Sequence, residues 1–389
     1  MSVPGQAAAY IIAARRSALG KVGGLHRNRR LEDLTAPIVT AALADAKLEP
    51  ADVDEIVIGN ASQGGNPARL IALASGLPLT APALSVDRQC ASGLDAIIHA
   101  VRSIAAGDAE VVVAGGAESL STAPWRVAKP RSVYHTPHFI GLEPTAMERH
   151  DVPQPIQAAE LLAERHQISR AAQDAYAMKS HLRADTAREA RRFVGEIVPL
   201  RGNREEARDE SAIGASLDDL EASPAYCPPD GTLTHGNTSQ PHDGAAIVVV
   251  VSHAMWQRLG SPPALKLVGS AAEGVAPEHE AEAPIAAWRK LDKRLNGYDR
   301  TRLKAVELGE SSAAQAIATM TALGIDEGLV NADGGAVVRG DPLGAAGAVL
   351  VVRLFSRLVR RCPETREGYG TALLGAVGGL GLAAMFEAV

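Results

Sequence analysis

One feature limits the possible folds of this chain more than any other: short apolar strand-like runs alternate with helix-like segments, and the alternation occurs twice. In the first third, runs such as residues 55–59 alternate with segments such as residues 34–46 and 91–106. The alternation resumes towards the C-terminus, for example at residues 304–308. Strands that alternate with helices favour parallel pairing with helices packed across the sheet. The sequence therefore predicts two α/β halves.

Composition restricts how these halves can pack. Only 3% of the residues are aromatic, whereas 37 of the 389 residues are glycine and alanine is abundant. A core of small side chains is well filled only where backbones approach closely. We therefore expect a tightly layered α/β architecture in a chain long enough for two or three domains.

Several classes of function are disfavoured by charge and hydropathy. The net charge of −6 gives no general attraction for nucleic acid, and the longest apolar runs are too short to cross a membrane. The first residues lack the basic and apolar regions of a signal peptide, so we expect a cytoplasmic protein. Cys90, Cys227 and Cys362 are too scattered for a disulfide framework, and we expect reduced thiols.

The alternation breaks down in a proline-rich central part, which indicates an insertion between two repeated halves. We expect an N-terminal half at residues 1–120, completed by residues 242–260. An inserted loop domain at residues 121–241 precedes a C-terminal half at residues 261–389. The prediction is an α/β fold with a duplicated core.

Cys90 is the candidate nucleophile. It lies between a short apolar strand and an alanine-rich helix, where the helix N-terminus can lower the pKa of a thiol. The local sequence leaves a second interpretation open, since a single cysteine at such a junction is often only a small buried hydrophobic residue.

A wider resemblance favours the first interpretation. Residues 86–96 closely resemble the segment around the acyl-accepting cysteine of the thiolase family, and residues 113–119 resemble the strand that follows it. Further matches to the family lie at residues 16–21, 56–69, 168–174, 231–246 and 331–347. The resemblance implies a thiolase-type fold of five layers (α-β-α-β-α) with two five-stranded halves, and it identifies Cys90 with the family's nucleophile.

The resemblance also implies ligands and partners. Coenzyme A and acyl-CoA thioesters would be substrates or ligands, with no tightly bound cofactor and no metal. The inserted loop domain would cover coenzyme A, and Ser239 stands at the family's CoA-contact serine, although a hydroxyl that only caps a loop remains the alternative. A homodimer or a dimer of dimers is implied, with no nucleic acid or membrane partner.

Three positions depart from the family's pattern. Asp341 replaces the histidine that activates the nucleophile, Gly309 replaces the asparagine that orients a water, and Gly375 replaces the cysteine that acts as second base. An ionised carboxylate beside Cys90 disfavours the thiolate, and a helix N-cap is the alternative role of Asp341. His242 could enter the pocket as a substitute base, although a purely structural histidine is the alternative.

Two functions therefore remain open. The first is a thiolase-like acyltransferase or thioesterase, similar to acetyl-CoA acetyltransferase, that forms an acyl-Cys90 intermediate but is impaired in carbon–carbon condensation and thiolysis. The second is a non-catalytic subunit that binds acyl-CoA or serves as a scaffold for a partner acyltransferase subunit. Transfer of an acyl group to Cys90 would distinguish the two.

Overall fold

The computed structural model describes residues 8–130, 132, 134–140, 154–200, 207–211, 216–361 and 368–389. Its strands are β1 (Ala9–Arg16), β2 (Gly20–Lys21), β3 (Glu55–Gly59), β4 (Ala83–Val86), β5 (Val111–Glu118), β6 (Arg126–Ala128), β7 (His138–Ile140), β8 (His242–Ser252), β9 (Leu265–Gly274), β10 (Leu303–Gly309), β11 (Tyr369–Ala376) and β12 (Leu380–Ala388). Its α-helices are α1 (Leu31–Ala46), α2 (Pro67–Ala74), α3 (Ser92–Ala106), α4 (Pro155–Arg165), α5 (Arg170–Glu189), α6 (Leu217–Glu221), α7 (His253–Arg258), α8 (Ala283–Arg294), α9 (Ala313–Leu323), α10 (Ala336–Arg339) and α11 (Ala346–Phe355). None of these helices is both long and apolar enough to cross a membrane.

The main sheet consists of two halves with the same internal order. The first half runs β1-β8-β5-β3-β4 and the second runs β9-β12-β11-β10. In the first half, β8 pairs antiparallel with β1 and β5, and β3 pairs in parallel with β5 and β4. In the second half, β12 pairs antiparallel with β9 and β11, and β11 pairs in parallel with β10. The halves join through β1 and β9, where Tyr10 pairs with Lys266 and Ile11 with Leu265. This repeated order is the duplication expected from the sequence.

The second half departs from the expected five strands. Where the first half has β4, the described chain beside β10 forms only one bridge, between Val306 and Val330. The next residue, Asn331, adopts a left-handed φ of 43°. Its side-chain amide exchanges two hydrogen bonds with the backbone of Leu308, at 2.8 and 2.9 Å. A side chain thus takes the place of the backbone ladder, and the chain turns away from the sheet.

The helices form three layers around the two half-sheets. Helices α1 and α2 pack on the outer face of the first half, and α8 and α9 pack on the outer face of the second. Helices α3 and α11 lie between the halves and contact each other. The order is helix, sheet, helix, sheet, helix, so the predicted five-layered α/β fold is confirmed.

The central helices approach each other through glycines. A Cβ atom on Gly93 of α3 would lie only 2.8 Å from the backbone oxygen of Gly344, and one on Gly347 of α11 would lie 2.7 Å from a side chain of α3. Contacts this close exclude any larger residue. Because Cys90 precedes α3 and Asp341 precedes α11 by a few residues, this packing holds their two loops at the same end of the helix pair.

A buried ion-pair network ties the central segment to the core. Arg16 of β1 donates to Glu196 at 2.6 Å and to Asp209 at 2.6 and 3.0 Å. Arg353 of α11 donates to Glu196 and to Asp333. Burial would raise the pKa of Glu196, but Arg353 and Arg16 together hold it below its usual value. Removing one partner would leave a buried charge uncompensated, which is strongly destabilising.

Candidate active site

Five of the six residues predicted for the site line one cavity of about 480 Å³. These are Cys90, Ser239, Gly309, Asp341 and Gly375. The β4–α3 turn of the first half supplies Cys90, and the segment before β8 supplies Ser239. In the second half, β10 supplies Gly309, β11 supplies Gly375 and the turn after α10 supplies Asp341. The fold therefore brings together groups that are up to 285 residues apart in the sequence.

A strained turn presents Cys90 to this cavity. Gln89 adopts a left-handed φ of 51°, which costs energy for a residue with a side chain. The turn is held by Ser92, which accepts a hydrogen bond from the Arg88 backbone at 2.8 Å and donates one to the Gln89 carbonyl at 2.5 Å. The half-buried thiol consequently lies at the N-terminal end of α3, facing the cavity.

The electrostatic surroundings of Cys90 keep it protonated. Burial is the main cause that raises the pKa of this thiol well above its usual value, and the carboxylates of Asp341, Glu280 and Glu118 raise it further. Only its own backbone N–H acts in the opposite direction. The pKa lowering expected from the helix N-terminus is therefore wrong in sign for the site as a whole, because burial and three carboxylates outweigh that effect.

Asp341 is a weakly acidic carboxyl group in the cavity wall. Its backbone is held by Gln240 and His242, each through one hydrogen bond of 2.9 Å. Its Oδ1 accepts a hydrogen bond from the Leu343 backbone at 2.8 Å. The N-cap of the 3₁₀ helix Leu343–Ala345 is Pro342 and that of α11 is Ala345, so Asp341 does not have the N-cap role left open by the sequence. Burial raises the pKa of Asp341 to about 6. This is close to the ordinary imidazole value of about 6.5, but the basic form carries a negative charge.

The two glycines of the site differ in the space around them. A Cβ on Gly309 would lie 2.7 Å from the Cβ of Leu374, so an asparagine at this position would require β11 to move. A Cβ on Gly375 would lie 3.3 Å from Gln315 and from Pro284, which is tight but needs only small shifts. The neighbouring strand thus blocks the asparagine position, whereas the cysteine position keeps some room.

His242 does not enter the cavity. Its ring is buried, with Nδ1 2.8 Å from the Gln240 carbonyl oxygen and Nε2 2.6 Å from the Ser211 hydroxyl. Gly340 packs directly on the ring, since a Cβ there would lie 2.1 Å from it. Burial lowers the pKa of His242, which keeps the imidazole neutral. The geometry favours the structural alternative over the role of a substitute base next to Cys90.

Several polar residues of the cavity wall were missed in the sequence, and two of them, Glu280 and Gln315, act on Cys90 by charge or face a predicted site position. Glu280 comes from the 3₁₀ helix Pro277–Glu282, and its carboxylate accepts a hydrogen bond from the Gly378 backbone at 2.7 Å. Gln315 of α9 accepts from the Ser311 backbone at 2.7 Å, and its amide nitrogen faces Gly375. The acidic run around Glu280 resembles a solvated surface segment, so no local pattern distinguishes it.

The titratable groups in the cavity lining are the thiol of Cys90, the carboxyl groups of Asp341 and Glu280, the guanidinium of Arg339 and the phenol of Tyr226. Cys90 can accept an acyl group, and Asp341 and Glu280 can accept protons. Cys227 lies outside the cavity lining, and Cys362 lies outside the described residues. Across the described ranges, no group of three or more histidine, cysteine or acidic residues is arranged to hold a metal ion.

Replacing Asp341 with asparagine should lower the pKa of Cys90, because a neutral amide removes a repulsive charge while keeping the acceptor for Leu343. Each unit of pKa decrease makes the thiolate about tenfold more abundant at neutral pH. The pH dependence of iodoacetamide alkylation of Cys90 would measure this in a background in which Cys227 and Cys362 are replaced by serine. Asp218→Asn, at an exposed carboxylate outside the cavity, is the control. An unchanged or higher thiol pKa in Asp341→Asn would contradict the electrostatic account.

Comparisons with known proteins identify the family of the chain. The thiolase N-terminal domain matches residues 9–254, and the thiolase C-terminal domain matches residues 261–388. The putative acetyl-CoA C-acetyltransferase VraB of Staphylococcus epidermidis is 36% identical over 385 residues, or 97% of each chain. The β-ketoadipyl-CoA thiolase of Pseudomonas putida is 36% identical over 96% of this chain and 98% of its own. The crystal structure of the Bacillus anthracis acetyl-CoA acetyltransferase is 32% identical, covers both chains completely and has a TM-score of 0.89. The chain therefore belongs to the thiolase family.

Proposed function

We propose that this protein transfers an acyl group from a coenzyme A thioester to Cys90 but is impaired in carbon–carbon condensation and thiolysis. Relatives named as acetyl-CoA acetyltransferases and β-ketoadipyl-CoA thiolase support acyl-CoA thioesters as the substrate class. The observation that carries the proposal is a single cavity in which Cys90 is kept, while a carboxylate and two glycines stand in the other family positions.

Acylation of Cys90 requires a proton acceptor, because the resting group is a thiol. With a pKa of about 6, Asp341 is mostly ionised at neutral pH and can take this proton as the sulfur attacks the thioester carbonyl. The bond from Cys90 to the acyl carbon forms, the bond from that carbon to the CoA sulfur breaks, and Asp341 returns the proton to the departing CoA thiolate. Protonated Asp341 is neutral, so it cannot stabilise a thiolate by charge as an imidazolium would.

Carbon–carbon condensation requires catalytic groups that the family positions of this cavity lack. An enolate must be formed by a second base and held by hydrogen-bond donors, yet Gly309 and Gly375 have no side chains for either task. The negative charge of Asp341 also repels a second oxyanion. A positioned base typically contributes about 10²–10⁴ in rate, and an oxyanion donor roughly 10²–10³. Losing several such groups should leave condensation near the background rate.

The coenzyme A moiety would enter past Ser239. Ser239 lies in the cavity lining, where its backbone N–H and its hydroxyl both donate to the Ser311 carbonyl, at 3.1 and 3.3 Å. Its hydroxyl oxygen keeps lone pairs that can accept a hydrogen bond from an amide of pantetheine. Under this proposal residues 121–241 act as the loop domain that covers coenzyme A, between the half at 1–120 with 242–260 and the half at 261–389.

A competing function is that of a non-catalytic subunit, which binds acyl-CoA as a sensor or assists a partner acyltransferase. The raised pKa of the Cys90 thiol favours it, because the nucleophilic thiolate is then scarce. Such a protein would bind coenzyme A thioesters without forming a covalent adduct. The two functions differ in one directly measurable event, the acylation of Cys90.

Incubating the protein with acetyl-CoA or butyryl-CoA should add one acyl group, detectable by intact-mass spectrometry and located by peptide mapping at Cys90. Cys90→Ala should abolish the adduct without changing the circular dichroism spectrum, because a small residue fits the same turn. An adduct that persists on Cys227 or Cys362 in this variant would refute the assignment. Calorimetric binding of CoA thioesters without any adduct would favour the non-catalytic subunit.

We also propose a homodimer formed through the edge of the first half-sheet. Strand β4 is one of the two edge strands of the described sheet, at the end formed by the first half, and leucines on and near it are exposed, Leu79 by 77% and Leu84 by 38%. An edge strand beside exposed apolar groups is suited to pairing with a second copy.

Light scattering at micromolar concentration should report at least a dimer for the unmodified protein. Leu84→Lys should shift it towards monomer, since lysine on an edge strand opposes pairing. Leu182→Lys, at an exposed leucine of α5, should leave the mass unchanged. A monomeric unmodified protein would rule out the dimer.

A further inference from the structure

Glu280 differs from the acidic residues around it. Glu278 is exposed to solvent, and Glu282 is paired with Arg165 and His279. Glu280 instead lines the Cys90 cavity, and no ion pair within the described residues includes it. Burial raises its pKa above the usual value for glutamate. A carboxylate that is desolvated without a cation carries an energetic cost, which points to a function for its placement.

The backbone of the β11–β12 turn orients this carboxylate. Its Oε2 accepts a hydrogen bond from the Gly378 backbone at 2.7 Å, and the Gly379 backbone also favours its ionised form. Both glycines have left-handed φ values, 91° and 77°, which turn successive N–H groups towards one anion. The turn thus holds the ionised carboxylate in the cavity wall, where it can accept a proton from a group inside the cavity.

Glu280 faces the same space as the nucleophile. Its charge acts on the thiol of Cys90, second among the carboxylates only to Asp341. The wall of the same cavity includes Gly375, which has no side chain, and the amide nitrogen of Gln315 faces that glycine. The cavity of about 480 Å³ leaves room for a short acyl group and water, each water needing about 30 Å³.

We propose that Glu280 is a general base that directs water onto acyl-Cys90, so that the protein releases the acyl group as a carboxylic acid. This inference rests on the proposed acylation of Cys90. Glu280 accepts a proton from water while the water oxygen forms a bond to the acyl carbon. The bond from that carbon to the sulfur of Cys90 then breaks, and Glu280 returns the proton to the departing sulfur. One water is consumed, and no oxidant or reductant is needed.

Water is a better acceptor here than a carbon nucleophile. A carbon nucleophile requires an enolate, and the positions that would hold and generate one are Gly309 and Gly375. Hydrolysis requires only a base, a water and polarisation of one carbonyl group. A carboxylate can also remove a proton from a carbon next to a carbonyl group, but the enolate formed then needs hydrogen-bond donors at its oxygen, and Gly309 has no side chain to provide one.

The test compares Glu280→Gln with Glu278→Gln, a control that removes a carboxylate two residues away on the exposed side of the same 3₁₀ helix. With acetyl-CoA or butyryl-CoA in ¹⁸O-labelled water, the unmodified protein and the control should release acid that carries one solvent oxygen. Glu280→Gln should still acylate Cys90, at a rate at least equal to that of the unmodified protein because it removes one carboxylate that raises the thiol pKa. It should retain the adduct, with deacylation slowed by about 10²–10⁴. Glu280→Asp should recover part of the rate, because it restores a carboxylate. Intact-mass time courses separate the two steps.

Equal deacylation rates in the unmodified protein and in Glu280→Gln would overturn this inference and leave the acylation of Cys90 standing. An unmodified protein that forms neither adduct nor acid would overturn both proposals together. If Glu280→Gln fails to fold, Glu280→Met, which replaces the carboxylate by an apolar chain of similar length, decides the same question by the same time course.

Discussion

The close packing of α3 against α11 is the contact on which the rest of the structure depends. It is possible only because Gly93 and Gly347 lack side chains, and it fixes the distance between the two half-sheets. The loops that precede the two helices carry Cys90 and Asp341, so the same contact sets the geometry of the cavity. The packing of the two helices does not depend on which polar side chains line the cavity. Substitutions in the cavity can therefore change its chemistry while the fold is kept.

The charge balance of the cavity differs from that of a thiol paired with an imidazole. A cysteine and a histidine can exchange a proton to form an ion pair, in which each charge stabilises the other. Cys90 and Asp341 share one negative charge whichever of them holds the proton, so proton transfer creates no attraction. This arrangement permits a base to assist attack on a thioester, but it does not accumulate a resting thiolate. Glu280 adds a further negative charge to the same cavity and raises the pKa of the Cys90 thiol further.

The sequence predicted the features that depend on local patterns. Alternating apolar runs indicated the duplicated α/β core. The resemblance to the thiolase family predicted Cys90 as the nucleophile and singled out Asp341, Gly309 and Gly375, which line the same cavity. Contacts that join distant segments left no such pattern: Glu280 meets Gly378 across 98 residues of chain. The orientation of His242 depends on a hydrogen bond to Ser211. The absence of a fifth strand from the described part of the second half depends on the side chain of Asn331. Neither could be read from hydropathy.

The central claim is that the cavity supports acyl transfer to Cys90 without efficient carbon–carbon chemistry. The most direct test measures, on one preparation, the rate at which acetoacetyl-CoA is cleaved by coenzyme A and the rate at which acetyl-CoA loses its acyl group. The account predicts that acetyl-CoA is consumed through Cys90, while acetoacetyl-CoA is cleaved far below ordinary enzymatic turnover, which is of order 1–10³ per second. Cleavage of acetoacetyl-CoA at an ordinary rate would contradict the account, because a base and an oxyanion donor would then have to be present among groups to which no such role is assigned.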